Sequence, residues 1–157
     1  MEFDSHVWAY EYCDIKCQLI AAKYNQEFHN YRMLYKILVD KLVEQYDIVT
    51  CVPTSKKHIK QRGFDHSAYL AKIISKRIRV PYRELLEQAY DFVQTNNNVT
   101  KRNENPMYIC NVNLKNNRIL LVDDIATTCS SLNHCSYILK RRGASRVSCA
   151  TLAYQRK

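Results

Sequence analysis

The stretch from Arg118 to Leu132, RILLVDDIATTCSSL, constrains the fold of this chain more than any other. Its run from Ile119 to Val122 is apolar without alternation, which is typical of a strand buried on both faces of a parallel sheet. Apolar residues then recur at helical spacing from Leu132 to Leu139. The stretch therefore predicts a buried strand, a short polar turn and the start of a helix.

The turn between this strand and this helix predicts an anion site. Backbone amides at a helix start lack partners within the helix, and they point, together with the helix dipole, at whatever occupies the turn. A phosphate group would fit there. The candidate phosphate-binding residues are the small and hydroxyl-bearing residues of the turn, Ala126, Thr127, Thr128, Cys129, Ser130 and Ser131.

Two acids, Asp123 and Asp124, stand between the strand and the turn. Carboxylates at this position can accept hydrogen bonds from ribose hydroxyls and help to place a hydrated Mg²⁺, whereas they would repel a phosphate bound alone. The ligand predicted by the whole stretch is therefore a sugar phosphate. The alternative is a buried strand with an ordinary capped turn, since acid pairs at strand ends are common.

Strands and helices alternate along the rest of the chain, which predicts an α/β fold with a mostly parallel, right-handed sheet flanked by helices. Ligands of such folds bind at the carboxyl ends of the strands. The predicted helices lie within residues 1–24, over 26–46, after the N-cap Asp65, and from the helical spacing that begins at Leu132 to a glycine stop at Gly143. The predicted strands are 47–53, a short edge segment over 80–86, the central strand after Arg118, and 147–153.

Two segments are predicted as loops. Residues 54–64, TSKKHIKQRGF, form a basic loop between a strand and a helix, which is a second anion cradle. Residues 94–105, QTNNNVTKRNEN, are polar without periodicity, so they form either a mobile loop or the tip of a β-excursion that returns through residues 108–110.

The 157 residues suit a single domain, with 1–46 as an N-terminal helical flank or hood and 47–157 as the core. A formal net charge of +9 favours anionic partners, among them phosphorylated small molecules and nucleic acid. The seven cysteines include no Cys-x-x-Cys pair, and residues 1–10 do not resemble a signal peptide. We therefore expect reduced thiols in a cytoplasmic protein, no zinc site, and no membrane span, because no apolar run approaches about 20 residues.

The segment VDDIATTCSS resembles the loop that binds phosphoribosyl pyrophosphate (PRPP) in type I phosphoribosyltransferases: two acids, a short spacer, a pair of threonines and further small or hydroxyl residues. Three other stretches resemble the ComF family of such proteins, which is named for its link to natural competence and DNA uptake. They are the VP…RGF…LA pattern from Val52 to Ala71, the spacing of Gln94, Arg102 and Asn105, and Gly143-Ala144 before the last strand.

The resemblance implies displacement of pyrophosphate from C1 of PRPP, with Mg²⁺ bound alongside the substrate. It implies that Asp123 and Asp124 hold the ribose hydroxyls and that the turn from Ala126 to Ser131 holds the 5-phosphate. The implied pyrophosphate-binding residues are Thr54, Ser55, Lys56, Lys57, Arg62 and Gly63. The implied closing loop carries Gln94, Arg102 and Asn105, with Arg102 as a catalytic residue.

Cys129 stands where the family has glycine. Backbone amides that point at an anion site favour a thiolate, and so does the start of a helix, so the sequence predicts a reactive Cys129 that PRPP protects. The alternative is a turn that relaxes and points the sulfur into the core. The family's four-cysteine zinc module has no counterpart in this sequence.

The sequence leaves other functions open. The net charge and the 12 tyrosines also fit a non-catalytic module of the same fold that handles single-stranded DNA, and a PRPP sensor without turnover is a third reading. The acceptor substrate is not identified, and a homodimer is compatible with the sequence.

Overall fold

A computed structural model of the chain describes residues 1–24, 29–89 and 107–155. The described strands are β1 (Ser5–Glu11), β2 (Ile48–Cys51), β3 (Glu87–Ala89), β4 (Met107–Ile109), β5 (Arg118–Ala126) and β6 (Arg146–Tyr154). The described helices are α1 (Tyr12–Tyr24), α2 (His29–Asp40), α3 (Lys56–Arg62), α4 (His66–Ile78) and α5 (Ser130–Arg141).

Four strands form a parallel sheet in the order β1-β6-β5-β2. The central strand β5 pairs with β2 on one side, with Cys51 opposite Val122, and with β6 on the other, with Val122 opposite Ala150. The parallel α/β fold predicted from the sequence is confirmed. Because β5 is central, the polar turn after it lies at the middle of the carboxyl edge of the sheet.

The two faces of the sheet carry separate apolar cores. Leu120 and Val122 of β5 belong to the core formed with α1, α2 and α4. Ile119 and Leu121 belong to the opposite core, which α5 and β4 cover. All four side chains are fully buried, so neither face of β5 meets water in this stretch. This burial on both faces explains why the stretch is apolar without alternation.

Strand β1 corrects the prediction for the N-terminal part of the chain. Residues 1–46 were expected to form a helical flank outside the core, but β1 is an edge strand of the main sheet and pairs in parallel with β6, with Val7 opposite Ala150. The predicted helix in this region is confirmed as α1, with Ile15 and Leu19 buried. An edge strand covered on one face mixes aromatic and polar residues, so its apolar pattern is weak.

Helix α3 corrects the prediction of a basic loop. The hydroxyl of Ser55 accepts a hydrogen bond from the amide of His58 at 3.2 Å and caps the first turn. Gly63 ends the helix in the left-handed conformation, with φ 73°, which glycine adopts at no steric cost. Lysine, glutamine and arginine are good helix formers, so a basic segment between these two caps folds as a short helix.

The predicted helix start at Asp65 and the predicted helix stop at Gly143 are both confirmed. Asp65 caps α4 by accepting a hydrogen bond from the amide of Ala68 at 3.0 Å. Gly143, at φ 97°, follows α5, where the amide of Ala144 bonds the carbonyl of Leu139 as in a Schellman motif. The predicted edge segment is reduced to one parallel bridge between Tyr82 and Val49.

Strands β3 and β4 pair antiparallel, with Gln88 opposite Tyr108, so the chain does leave and return as a β-excursion. The predicted closing loop over residues 94–105 lies outside the described residues. Across the described ranges, no helix is both long and apolar enough to cross a bilayer.

Candidate functional site

The turn after β5 surrounds a small pocket of about 60 Å³. Ligand pockets for whole small molecules run to several hundred Å³, so this pocket has room for one group of a ligand rather than for a nucleotide. It is lined by every residue of the predicted phosphate turn, together with one of the two acids and two apolar neighbours: Asp123, Ile125, Ala126, Thr127, Thr128, Cys129, Ser130, Ser131 and Leu132.

The ends of the turn are fixed by hydrogen bonds. The carbonyl of Ala126 accepts from the amide of Gln155, which joins the end of β5 to the residue after β6, at 2.9 Å. The amide of Asn133 donates to the carbonyl of Cys129 at 2.8 Å and starts the ladder of α5. The pocket therefore lies between a strand end and a helix start that are each held by a backbone hydrogen bond.

Cys129 is the N-cap of α5 and lies in the left-handed region, with φ 57°. A residue with a Cβ atom pays a free-energy cost in this conformation that glycine does not. This cost is a physical reason why the PRPP loop that the turn resembles has glycine at this position. No side-chain hydrogen bond from Cys129 caps the helix. The turn thus places a cysteine in a backbone conformation that glycine adopts more readily.

The surroundings of the Cys129 side chain favour the predicted alternative, a sulfur turned toward the core. The side chain is half-buried, packs against the core on the α5 side of the sheet and shares a hydrogen bond with Tyr154. Burial raises the pKa of the Cys129 thiol above its ordinary value, although the Tyr154 hydrogen bond acts in the opposite direction. Removal of the sulfur from water therefore disfavours the thiolate of Cys129.

The two acids occupy different environments at the end of β5. One oxygen of Asp123, Oδ1, accepts a hydrogen bond from the hydroxyl of Ser67 at 2.7 Å and another from the amide of Asp124 at 2.9 Å. Asp124 is buried, with 9% of its surface exposed, whereas Asp123 is half-buried and lines the pocket. Asp123 is therefore held in place beside the phosphate turn.

The basic segment after β2 reaches the same edge of the sheet. The amide of Val52 donates to the carbonyl of Val122 at 3.0 Å, so the chain leaves β2 directly beside the acid pair. The hydroxyl of Thr54 donates to the carboxylate of Asp65 at 3.1 Å, and Ser55 caps α3. Both side chains thus fix the local fold.

Among the predicted pyrophosphate-binding residues, Lys56 and Lys57 are exposed on α3, and so is the neighbouring Lys60. Gly63 ends the helix, and the side chain of Arg62 is not among those the structure describes. The structure thus brings a cationic helix to the edge that carries the acid pair. Gln94, Arg102 and Asn105 fall in the undescribed range 90–106, so their predicted role stays a prediction.

The donors at this edge are carboxylates and hydroxyls, which are the oxygen ligands that Mg²⁺ prefers. Within the described ranges, no group of three or more His, Cys, Asp or Glu residues is placed to hold a metal. Asp123 and the hydroxyls of the phosphate turn are the residues here whose oxygen chemistry fits Mg²⁺.

Two contacts at the site were not predicted from the sequence: the bond of Ser67 to Asp123, and the bond of Tyr108 to Ser131 at the end of the turn. Burial raises the pKa of the Tyr108 phenol to about 12. Ser67 gave one signal in the sequence, a serine on the apolar face of a helix beside a predicted site. Tyr108 gave none, since it reaches the turn from a separate strand.

The fold and the site together define an α/β protein with a phosphate-sized pocket that follows an acid pair on its central strand. Residues 65–157 match the phosphoribosyl transferase domain family. This match covers more than half of the chain and includes the acid pair, the phosphate turn and Ser67. The chain therefore belongs to the phosphoribosyl transferase domain family.

Solved structures with a similar fold include a purine phosphoribosyltransferase from Pyrococcus horikoshii, at 19% identity and a TM-score of 0.56, with 81% of this chain and 74% of that chain covered. An adenine phosphoribosyltransferase from Thermoanaerobacter pseudethanolicus matches at 10% identity and a TM-score of 0.54, with 83% of each chain covered. The glutamine PRPP amidotransferase from B. subtilis matches at 19% identity and a TM-score of 0.51, over 77% of this chain but only 25% of its own. A comparison with curated protein sequences finds no match.

Proposed function

We propose that this chain binds PRPP together with Mg²⁺ and transfers its phosphoribosyl group with release of pyrophosphate. The observation that carries the proposal is the pocket of about 60 Å³ that the phosphate turn encloses directly beside Asp123. A pocket of one-group size next to a positioned carboxylate suits a phosphate joined to a sugar that bears hydroxyls. The family match and the fold support the same substrate class.

In this proposal the phosphate turn holds the 5-phosphate through backbone amides and the hydroxyls of Thr127, Thr128, Ser130 and Ser131. Asp123 and Asp124 accept hydrogen bonds from the ribose hydroxyls. The cationic helix α3, with Lys56 and Lys57, neutralises the pyrophosphate, and Arg62 joins them. Arg102, with Gln94 and Asn105 on the same loop, closes over the substrate. Mg²⁺ would neutralise charge on the pyrophosphate as it leaves.

The reaction breaks the bond between C1 of the ribose and the pyrophosphate oxygen, and pyrophosphate keeps the electron pair. The acceptor forms a new bond to C1 with its own lone pair and gives its proton to solvent or to a base. Positive charge develops at the ribose in the transition state. The negative carboxylates of Asp123 and Asp124 stabilise this charge, while the cations of α3 stabilise the leaving group.

We further propose that the chain is of the ComF type and linked to competence and DNA uptake. The VP…RGF…LA pattern supports this, because its residues follow β2 directly and form α3 and the capped start of α4. A neighbour of similar fold, an adenine phosphoribosyltransferase from Trypanosoma brucei, is complexed with AMP, pyrophosphate and ribose-5-phosphate, which supports ribose phosphates as the ligand class.

One observation favours a second function, the handling of single-stranded DNA without catalysis. Helix α3, which follows β2 at the carboxyl edge of the sheet, exposes Lys56, Lys57 and Lys60, and such a cationic surface attracts a nucleic-acid backbone. The same surface serves a pyrophosphate, so this function is the alternative to transfer.

Calorimetry with PRPP and Mg²⁺, followed by a pyrophosphate-release assay with bases, amines and single-stranded DNA as acceptors, tests both functions. Binding with release that depends on one acceptor supports transfer. Binding of PRPP without release of pyrophosphate with any acceptor supports a PRPP sensor. Binding of single-stranded DNA without affinity for PRPP supports the DNA-handling function.

A further inference from the structure

We propose that Ser67 is a positioning residue for the ribose end of the ligand, acting through Asp123. This inference rests on the proposed function, since it assigns Asp123 to the ribose hydroxyls. It adds a residue that carries no charge and that does not line the phosphate pocket.

The contact between the two residues is short and partly shielded from water, because Ser67 is buried and Asp123 is half-buried. The Ser67 hydroxyl donates to Oδ1 of Asp123 at 2.7 Å, and Ser67 is buried, with 4% of its surface exposed. A hydrogen bond to a carboxylate is stronger than one between neutral groups, and shielding from water strengthens it further. Because the amide of Asp124 donates to the same oxygen, Oδ1 is fixed from two directions.

Ser67 itself is fixed by the start of α4. Asp65 caps this helix by accepting from the amide of Ala68, and the same oxygen of Asp65 accepts from the hydroxyl of Thr54. Thr54 belongs to the segment that leads from β2 into the cationic helix α3. A continuous chain of hydrogen bonds and helix backbone therefore joins the proposed pyrophosphate side of the site to the proposed ribose side.

Positioning matters here because a carboxylate at a strand end can otherwise rotate about its side-chain bonds. A ligand that meets a freely rotating Asp123 must fix it on binding, which lowers affinity, whereas a carboxylate held by Ser67 is preorganised. The phosphate turn has its own anchors, at Ala126 and Cys129. Loss of the Ser67 hydroxyl should therefore weaken recognition of the sugar and leave recognition of phosphate unchanged.

The test compares Ser67→Ala with Ser75→Ala. Ser75 lies on the same helix, is also buried, and donates from its hydroxyl to the carbonyl of Val80 at 2.7 Å, but it lies at the far end of α4 from the site. The two variants therefore lose the same group in similar surroundings. Calorimetry measures the affinity of wild type and variants for ribose 5-phosphate and, separately, for inorganic phosphate.

We expect Ser67→Ala to lower the affinity for ribose 5-phosphate by about tenfold and the affinity for inorganic phosphate by less than about twofold. Ser75→Ala should leave both affinities unchanged. In a double-mutant cycle, Ser67→Ala should cause no further loss once Asp123 is alanine, because Ser67 then has no carboxylate to position. If the alanine variant does not fold, Ser67→Cys keeps the shape with a weaker donor and gives the same comparison.

Three results would overturn this inference: unchanged ribose 5-phosphate affinity in Ser67→Ala, an equal loss for both ligands, or losses at Ser67 and Asp123 that add. Each of them leaves the proposed function standing, provided that the wild type binds PRPP. If the wild type binds neither PRPP nor ribose 5-phosphate, the proposed function fails and this inference fails with it.

Discussion

Arg118 and Asp47 form a paired contact at the amino end of β5, on the opposite edge of the sheet from the phosphate turn. The guanidinium donates to both carboxylate oxygens, at 3.1 and 2.8 Å, and the backbone amide of Arg118 donates to Asp47 as well. Hydrogen bonds from Arg118 lower the pKa of Asp47 to about 2, from an ordinary value of 3.8. The pair joins the loop before β2 to the central strand.

This contact predicts an acid-dependent loss of stability. Because the pKa of Asp47 is lower in the folded chain, the pair stabilises the fold above about pH 4, and this stabilisation is lost as the pH falls toward 2. The Asp47 side chain is 37% exposed, so we expect Asp47→Asn to cost on the order of 1 kcal/mol at pH 7, or about 2–4 °C in Tm. Thermal unfolding of both proteins from pH 7 to pH 2 should show the difference shrinking; a constant difference would contradict the pairing.

The acid pair at the other end of β5 should be required for PRPP. Replacing Asp123 and Asp124 together by asparagine removes charged acceptors for the ribose hydroxyls, and we expect PRPP affinity to fall tenfold or more. The matched control is Asp14→Asn with Asp40→Asn, which makes the same change in net charge at exposed positions on α1 and α2. If the double variant at β5 folds and binds PRPP with unchanged affinity, the two acids do not contact the ligand.

The middle and C-terminal parts of the fold could be predicted from the sequence because their signals are local. The apolar run of β5 marks a strand buried on both faces, and Asp65 and Gly143 mark a helix start and a helix end. Each of these signals depends on neighbouring residues and on general preferences of the backbone.

The errors lie where the deciding contact is distant in sequence or where periodicity is too short. Strand β1 exists because β6 offers it an edge more than 130 residues later, with Ser5 opposite Ser148. Helix α3 is too short to show an apolar period, and only its caps at Ser55 and Gly63 indicate it. The bond between Ser67 and Asp123 spans 56 residues and needed the structure.

Single-stranded DNA, if it binds, should bind through α3 and should do so electrostatically. Alanine at Lys56, Lys57 and Lys60 should flatten the slope of log affinity against log salt by up to about two, at about 0.7 for each lost phosphate contact. The control replaces three exposed basic residues at the far end of α4, Lys76, Arg77 and Arg79, and should leave the slope unchanged. Equal slopes for wild type and the α3 variant would place any DNA contact elsewhere.

Cys129 should be less reactive at neutral pH than the exposed cysteines of α1, Cys13 and Cys17. Only the thiolate is nucleophilic, and burial raises the pKa of Cys129, so its thiolate fraction at pH 7 is below that of an ordinary thiol. Mass-spectrometric alkylation with iodoacetamide should therefore modify Cys13 and Cys17 first. The alkylation rate of Cys129 should keep rising at pH values where the rate of an exposed thiol no longer rises, because burial raises the pKa of Cys129.

Alkylation of Tyr154→Phe separates burial from the local hydrogen bond. The Tyr154 hydroxyl favours the thiolate of Cys129, so its removal should slow alkylation of Cys129 further and leave Cys13 unchanged.

Added PRPP should also protect Cys129, because this residue lines the pocket of the phosphate turn. A Cys129 that alkylates faster than Cys13 at pH 7 would show that the helix start governs the thiol, and the thiolate predicted from the sequence would then be correct.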